Sequence, residues 1–86
     1  MSDVKHPAQE QIRSLTHHYV PGEYWTHYKG GVYQLVSLAV QEDTGTILVI
    51  YKSLKHGTVW SRSIDNWCED VQLPTGTVKR FVKGAP

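Results

Sequence analysis

Two apolar stretches joined by a turn lie in the middle of this chain: Val32-Tyr33-Gln34-Leu35-Val36-Ser37-Leu38-Ala39-Val40 and Thr46-Ile47-Leu48-Val49-Ile50-Tyr51. Both are rich in β-branched and aromatic residues, and Asp43-Thr44-Gly45 between them supplies turn chemistry, so together they predict a β-hairpin. Because Ile47-Leu48-Val49-Ile50 is apolar at every position, we expect this strand to be buried on both faces, as in the middle of a small barrel.

Three shorter segments with β character flank this hairpin. They begin at Tyr24, Thr58 and Thr77, and Asp65-Asn66 favours one tight helical turn near Trp67. Five short strands predict a small antiparallel barrel, since closing one sheet on itself removes exposed strand edges. We expect six apolar residues to form its core: Leu35, Leu38, Ile47, Val49, Ile50 and Phe81.

The turn at His56-Gly57 sets the register of the second hairpin. A two-residue loop would place Tyr51 opposite Arg62, whereas a three-residue loop would place Ile50 opposite Arg62. We favour the two-residue loop, because same-face neighbours then match in their chemistry. It puts four side chains on one face of the sheet: Tyr51, Ser53, Trp60 and Arg62.

The first 21 residues differ in composition from the rest of the chain, which contains all seven glycines and eight of the nine aromatic residues. Pro7 can begin a short helix, and Ile12 and Leu15 lie three positions apart on one side of it. We therefore divide the chain into an N-terminal extension over 1–21 and a barrel domain over 22–84. We expect residues 1–6 and 84–86 to be disordered, and a chain lacking residues 1–20 to fold.

Composition excludes several classes of protein. Nine Lys and Arg against eight Asp and Glu give a net charge of +1, which argues against a strongly basic nucleic-acid binder and against an acidic mimic of DNA. The single cysteine, Cys68, cannot form an internal disulfide, and the sequence has neither an apolar signal core nor a membrane-spanning run. We expect a cytoplasmic monomer with no membrane partner.

Histidine and cysteine patterns give little support for metal or catalytic chemistry. His17 and His18 are adjacent instead of four residues apart, and Cys68 has no CxxC partner, so we predict no metal and no cofactor. An enzyme that uses His27 or Cys68 is a less favoured alternative, since neither has a catalytic partner at a recognisable spacing.

The densest group of residues that could carry function is Tyr24–Gly31, in which aromatic, imidazole and ammonium groups lead into a Gly-Gly turn. We predict a non-catalytic binding module whose aromatic and basic groove takes a peptide or a small anionic ligand. In this groove the planar guanidinium of Arg62 would donate two parallel hydrogen bonds to a carboxylate or phosphate. The candidate ligand-binding residues are His27, Tyr28, Lys29, Trp60, Arg62 and Trp67.

Two alternatives stay open. The aromatic residues of this group could simply fill the core, with Arg62 pairing internally with Glu69 or Asp65 of the following turn. The chain could also be a small barrel that binds single-stranded nucleic acid, although acidic residues lie between the basic ones in sequence. The basic stripe would then consist of Lys52, Lys55, Lys79, Arg80 and Lys83.

Three motifs resemble those of the bacterial domain-of-unknown-function family 1653. The leading motif, G-x-Y-x-H-Y-K-G-G-x-Y, is similar to Gly22–Tyr33 with one extra residue before His27. The second, A-x-H-S-E-T and an apolar run ending in Tyr, is similar to 39–51. The third, W-V-R-P-x-x-x-F-x-E, is similar to 60–69, and the closing R-F matches Arg80-Phe81.

This resemblance implies a small SH3-like barrel and no established activity. The chain departs from the motifs at several positions: Gln41 replaces a histidine, Glu42 a serine, Ser63 a proline and Trp67 a phenylalanine. A chemical role of that histidine in the family could not operate in this chain. The first twenty residues lie outside the resemblance.

Overall fold

The computed structural model describes residues 7–86 of the chain, with side chains from Gln9 onward. These residues form seven strands and two short helices. In chain order the elements are α1 (Pro7–Leu15), β1 (Tyr24–His27), β2 (Val32–Gln41), β3 (Thr46–Ser53), β4 (Val59–Ser63), α2 (Ile64–Trp67), β5 (Asp70–Leu73), β6 (Gly76–Lys79) and β7 (Phe81–Lys83). The prediction of a mainly β protein is confirmed.

Five strands form one antiparallel sheet in the order β4-β3-β2-β1-β7, and β5 and β6 form a separate hairpin. The sheet is open, with β4 and β7 at its two edges, so the prediction of a closed barrel is wrong. The reason lies in the last predicted strand, which is divided at Arg80. The backbone N–H of Arg80 donates to the carbonyl of Glu69, while its carbonyl accepts from Tyr28, so the chain passes from the β5–β6 hairpin to the edge of β1.

Strand β3 is buried on one face only. Its burial alternates, with Ile47, Val49 and Tyr51 buried and the intervening Leu48 and Ile50 half-buried. Both helices contact β3, and Leu15 and Trp67 pack on the face that carries Val49. The expectation of burial on both faces is therefore wrong, because the alternating side chains of an antiparallel strand are covered on one side only.

The core is more aromatic than the sequence predicted. Leu35, Ile47, Val49 and Phe81 are buried as expected, and Leu38 is partly buried against them. Ile50 does not belong to the core, because it faces the opposite side of the sheet. Four aromatic residues complete the buried set: Tyr19, Trp25, Tyr51 and Trp67.

The predicted register of the β3–β4 hairpin is also wrong. Tyr51 lies opposite Trp60, and Val49 lies opposite Arg62, which is a shift of two residues from the expected alignment. The connection is a four-residue turn in which the N–H of Gly57 donates to the carbonyl of Ser53 at 2.8 Å. Gly57 has a φ of 72°, which glycine adopts without strain. Because the shift is two residues, Tyr51, Trp60 and Arg62 still share one face.

The N-terminal segment packs into the same core as the sheet. Helix α1 ends at Leu15, and the Tyr19 that follows is 5% exposed, with its ring stacked on Trp25 at a centroid distance of 5.4 Å. A division of the chain at residue 21 therefore separates residues that pack together. The disorder expected for residues 1–6 concerns a segment outside the described residues. Gly84 is hydrogen-bonded to Tyr24, and the disorder expected for residues 84–86 stays a prediction.

Candidate functional site

The ring of Phe81 is the centre of the candidate site. It is 5% exposed, and Trp67 stacks on it at 3.7 Å with an interplanar angle of 5°. The rings of His27 and Tyr51 meet it edge-on, at centroid distances of 4.9 and 5.6 Å. The guanidinium carbon of Arg62 lies 5.5 Å from its centroid, so a cation also contacts this ring.

Five elements bring these side chains together: β1, β3, β4, α2 and β7. His27 and Phe81 are paired neighbours on β1 and β7, while Arg62 comes from β4 at the other edge of the sheet. Helix α2 follows β4 directly, because the Ser63 hydroxyl accepts a hydrogen bond from the N–H of Asn66 and caps the helix. This cap turns the chain so that Trp67 reaches Phe81.

Neutral groups hold the guanidinium of Arg62. Its Nε donates to the hydroxyl of Tyr51 at 3.2 Å, and its Nη1 donates to the amide oxygen of Asn66, four residues ahead. The prediction that Arg62 contacts a carboxylate of the 65–70 turn is therefore wrong. Two carboxylates of that turn have other partners, since Glu69 pairs with Arg80 at 2.7 Å and Asp70 with Lys79 at 2.9 Å.

His27 reports a positive electrostatic environment. Burial lowers its pKa, and the positive charges of Arg62, Arg80 and Lys29 lower that pKa further, in this order. Its Nδ1 accepts a hydrogen bond from the N–H of Lys29 at 3.2 Å, which requires that nitrogen to be unprotonated. We call His27, Lys29, Arg62 and Arg80 the basic cluster.

Little negative charge offsets the basic cluster. Among the ion pairs of residues 7–86, one carboxylate contacts the cluster: Glu69 pairs with Arg80. The Nε of Arg80 is buried and has no hydrogen-bond partner among the described residues. The Nζ of Lys29 is exposed and lies 5.8 Å from the ring of Tyr28. The positive charge of the basic cluster therefore exceeds the negative charge of the carboxylate paired with it.

The predicted site residues fall into three groups. His27, Arg62 and Trp67 meet around Phe81, and Tyr28 and Lys29 lie beside them, with the Tyr28 ring 4.6 Å from that of His27. Trp67 is 2% exposed, so it supports the site from the core. Trp60 is 52% exposed on the edge strand β4, opposite Tyr51.

Sequence reasoning did not select three residues that build the site. Tyr51 and Asn66 hold Arg62, and Arg80 contributes charge. The R-F motif pointed to Arg80, although its proximity to His27 depends on the bend at the start of β7. No signal in the sequence indicates that Asn66, between two carboxylates of the same turn, is the partner of Arg62.

The two groups considered for catalysis have different partners. The Tyr19 hydroxyl lies 3.1 Å from the Sγ of Cys68, and burial together with this contact raises the pKa of Tyr19. Cys68 borders a cavity of about 330 Å³ lined also by Trp25 and Trp67, whereas His27 packs on Tyr28 and Phe81. Within residues 7–86 there is no group of three or more His, Cys, Asp or Glu that could hold a metal ion.

Ion pairing reduces the charge of the predicted nucleic-acid stripe. Lys79 pairs with Asp70, Arg80 with Glu69, and Lys83 with Glu23 at 3.3 Å. Three of the five residues of this stripe are thus paired with a carboxylate. Because the affinity for nucleic acid would come from contacts with phosphates, this pairing lowers the expected affinity.

The fold and the cluster define a small, mainly β domain with a basic and aromatic site between the edge strands of one curled sheet. Over residues 23–83 the chain matches the family described as Protein of unknown function (DUF1653), and it belongs to that family. The chain is similar to the crystal structure of a DUF1653 protein from Bordetella bronchiseptica, with 27% identity and a TM-score of 0.69. The match covers 81% of this chain and 92% of the other. The comparison with curated proteins gives no match.

Neither helix in the described part of the chain has the length and apolar character needed to cross a membrane. The family description gives no activity.

Proposed function

We propose that this protein is a non-catalytic binding module whose basic cluster takes an anionic group, a carboxylate or a phosphate, of a peptide or small molecule. The observation that carries the proposal is the environment of Arg62. Its guanidinium is partly buried and bonded to a hydroxyl and an amide oxygen. A partly buried cation that lacks a carboxylate partner is poised to gain one from a ligand, since charge-assisted hydrogen bonds are the stronger ones.

His27 supports the same proposal. Burial is the largest cause of its lowered pKa, the surrounding positive charges lower that pKa further, and an added anion would offset those charges. Binding of an anion should therefore raise the pKa of His27 and couple affinity to pH. The ring of Tyr28, which lies beside the cluster, gives a ligand flat apolar surface next to the charged groups.

The alternative of nucleic-acid binding has less support. It needs Lys79, Arg80 and Lys83, which are ion-paired. The proposed site shares Arg80 with that stripe but relies on Arg62 and Lys29, which have no carboxylate partner in the described ion pairs. A small anionic site also needs fewer cations than a strand of phosphates does.

The test is a titration of isotope-labelled protein with sodium phosphate and with sodium acetate at constant ionic strength. We expect chemical-shift changes at His27, Lys29 and Arg62. The affinity of Arg62→Gln for these anions should be at least about tenfold lower, because a charge-assisted hydrogen bond is worth roughly 1.5–3 kcal/mol. Lys52→Gln is the matched control, because it removes one positive charge from the face of β3 opposite to Arg62.

A second variant tests the charge argument without removing the arginine. Asn66→Asp would give Arg62 the carboxylate that it lacks, and we expect it to weaken anion binding while retaining the fold. Anion binding that is equal in Arg62→Gln, Asn66→Asp and Lys52→Gln would refute the proposal.

A further inference from the structure

The outer edge of β4 is free. Thr58 is hydrogen-bonded to the directly opposite Ser53, because the N–H of Ser53 donates to the carbonyl of Thr58 at 2.9 Å. Bonded and non-bonded pairs alternate along an antiparallel ladder, so Trp60 and Arg62 also direct their backbone groups towards β3. The N–H and C=O groups of Val59 and Ser61 therefore point away from the sheet. In the part of the chain that the structure describes, no strand pairs with this edge.

The side chains at this edge are open to solvent as well. Val59 and Trp60 are 56% and 52% exposed on opposite faces of β4, and Ser61 is also exposed. Trp60 shares its face with Arg62, two residues further on, so the free backbone edge runs beside an exposed aromatic ring and then the guanidinium of the basic cluster.

Natural sheets usually protect an edge with charged residues, proline or a covering segment. The exposed stretch Val59-Trp60-Ser61 has no such protection. Main-chain pairing at an open edge is a recurring way of binding extended peptides, in which the backbone supplies affinity and alternate side chains supply specificity.

We propose that the ligand of this module is an extended peptide that adds to β4 as an antiparallel strand. The inference rests on the proposed function, because it assigns the anionic group to an acidic side chain that reaches Arg62. An apolar side chain two residues later in the peptide lies against Trp60. The recognised pattern is therefore acidic-x-apolar, read from the N-terminus of the peptide.

Charge complementarity decides between a peptide and a second copy of this chain. Pairing of β4 with β4 of another copy would bring two Arg62 side chains into one small interface, and β4 itself contains no carboxylate. An acidic peptide supplies the charge that Arg62 lacks, so the observations favour the peptide.

The experiment uses a capped heptapeptide of Thr and Val with one Glu and, two residues later, one Leu, together with a matched peptide in which Gln replaces Glu. We expect the Glu peptide to slow hydrogen exchange at the amides of Val59 and Ser61, and the Gln peptide to bind about tenfold more weakly. This measurement uses the unaltered protein, so it does not depend on a variant that folds.

Two substitutions at one position test the backbone contact. Ser61→Pro removes the outward N–H, which proline at an edge strand allows, whereas Ser61→Ala removes only the side-chain hydroxyl. We expect Ser61→Pro to lower peptide affinity at least about tenfold, since it loses a hydrogen bond and adds a ring at the edge. Ser61→Ala should bind as the unaltered protein does.

The outcomes separate the two proposals. If phosphate and acetate shift Arg62 but the peptide leaves Val59 and Ser61 unprotected, the strand-addition inference is wrong and the anion site stands. If no anion and no peptide shifts Arg62, the proposed function fails too. Protection of Val59 and Ser61 without peptide, rising with protein concentration along with a doubled mass in sedimentation, would identify a second copy as the occupant and overturn the inference.

Discussion

Arg62 and Phe81 lie on the two opposite edge strands of the sheet, yet the guanidinium carbon of Arg62 is 5.5 Å from the centroid of the Phe81 ring. The contact forms because the five-stranded sheet curls until its two edge strands, β4 and β7, approach each other. It also joins the basic cluster to the aromatic core, because Trp67 stacks on the same ring. A substitution of either residue should therefore change both the stability of the fold and ligand binding at the basic cluster.

Removing the Arg62 side chain should destabilise the protein, whereas removing that of Lys29 should not. Arg62→Ala leaves the Tyr51 hydroxyl and the Asn66 amide without their donor, at a cost of about 1–3 kcal/mol. Thermal unfolding should show a melting temperature lower by about 4–8 °C for each kcal/mol lost. Lys29→Ala, at an exposed position, should melt within a few degrees of the parent, and equal melting of both variants would contradict this account.

Two truncations of equal size should separate the faces of the sheet. Leu35 is 1% exposed and opposite Tyr51, so Leu35→Ala should cost about 2–5 kcal/mol in free energy of unfolding. Ile50→Ala removes as many carbons from the half-buried opposite face and should cost clearly less. Urea unfolding of both variants measures the difference, and a larger loss for Ile50→Ala would place the core on the other face of β3.

Tyr19 should matter to the fold although it precedes the family match. Its ring is buried against Trp25, so Tyr19→Ala should cost about 3–5 kcal/mol, as large aromatic truncations do. Tyr19→Phe is the control, since it keeps the ring and loses only the contact with Cys68. We accordingly expect a chain that lacks residues 1–20 to be destabilised, in contrast to the expectation from sequence. A truncated chain as stable as the parent would show that this packing contributes little.

Stability should depend on the protonation of His27. Because folding lowers its pKa from the ordinary value of 6.5, the unfolded chain binds more protons just below that pH. The stabilising contribution is therefore present above pH 6.5 and is lost as the pH falls through the lower, folded pKa. A pH series of urea midpoints should show this loss in the parent and a smaller one in His27→Gln.

The same titration followed by NMR tests the cause of the shift. Arg62→Gln should raise the pKa of His27 towards 6.5, because one of the repelling charges is removed. Lys52→Gln, on the other face of β3, should leave it unchanged. If Arg62→Gln lowered the pKa of His27 or left it where it is in the parent, Arg62 would not act on this histidine.

The basic stripe should not bind single-stranded DNA detectably at physiological salt. With Lys79, Arg80 and Lys83 paired to carboxylates, fluorescence anisotropy of a labelled oligothymidine should show no binding at physiological salt. Tight binding that weakens steeply with added salt would instead favour the nucleic-acid alternative, and the reversal of charge in Lys79→Glu would then be its test.

Local sequence was enough to predict strands β1 to β4 and most of the residues that could carry function, but it did not indicate β5 or the division of the last predicted strand into β6 and β7. β-branched runs such as Thr46–Tyr51 form strands for local reasons, and turn residues between them act through neighbouring backbone. The family motifs also pointed to His27, Arg62 and Arg80, although without indicating what each would contact.

The remaining features depend on packing between distant parts of the chain. Which face of β3 is buried, and that Tyr19 belongs to the core, follow from where the two helices pack, and periodicity within one strand does not contain that information. The open sheet results from the bend at Arg80. The choice of Asn66 over a carboxylate as the partner of Arg62 depends on the direction in which a capped helical turn leaves β4. Contacts between residues distant in sequence are set by packing geometry, which local propensity cannot supply.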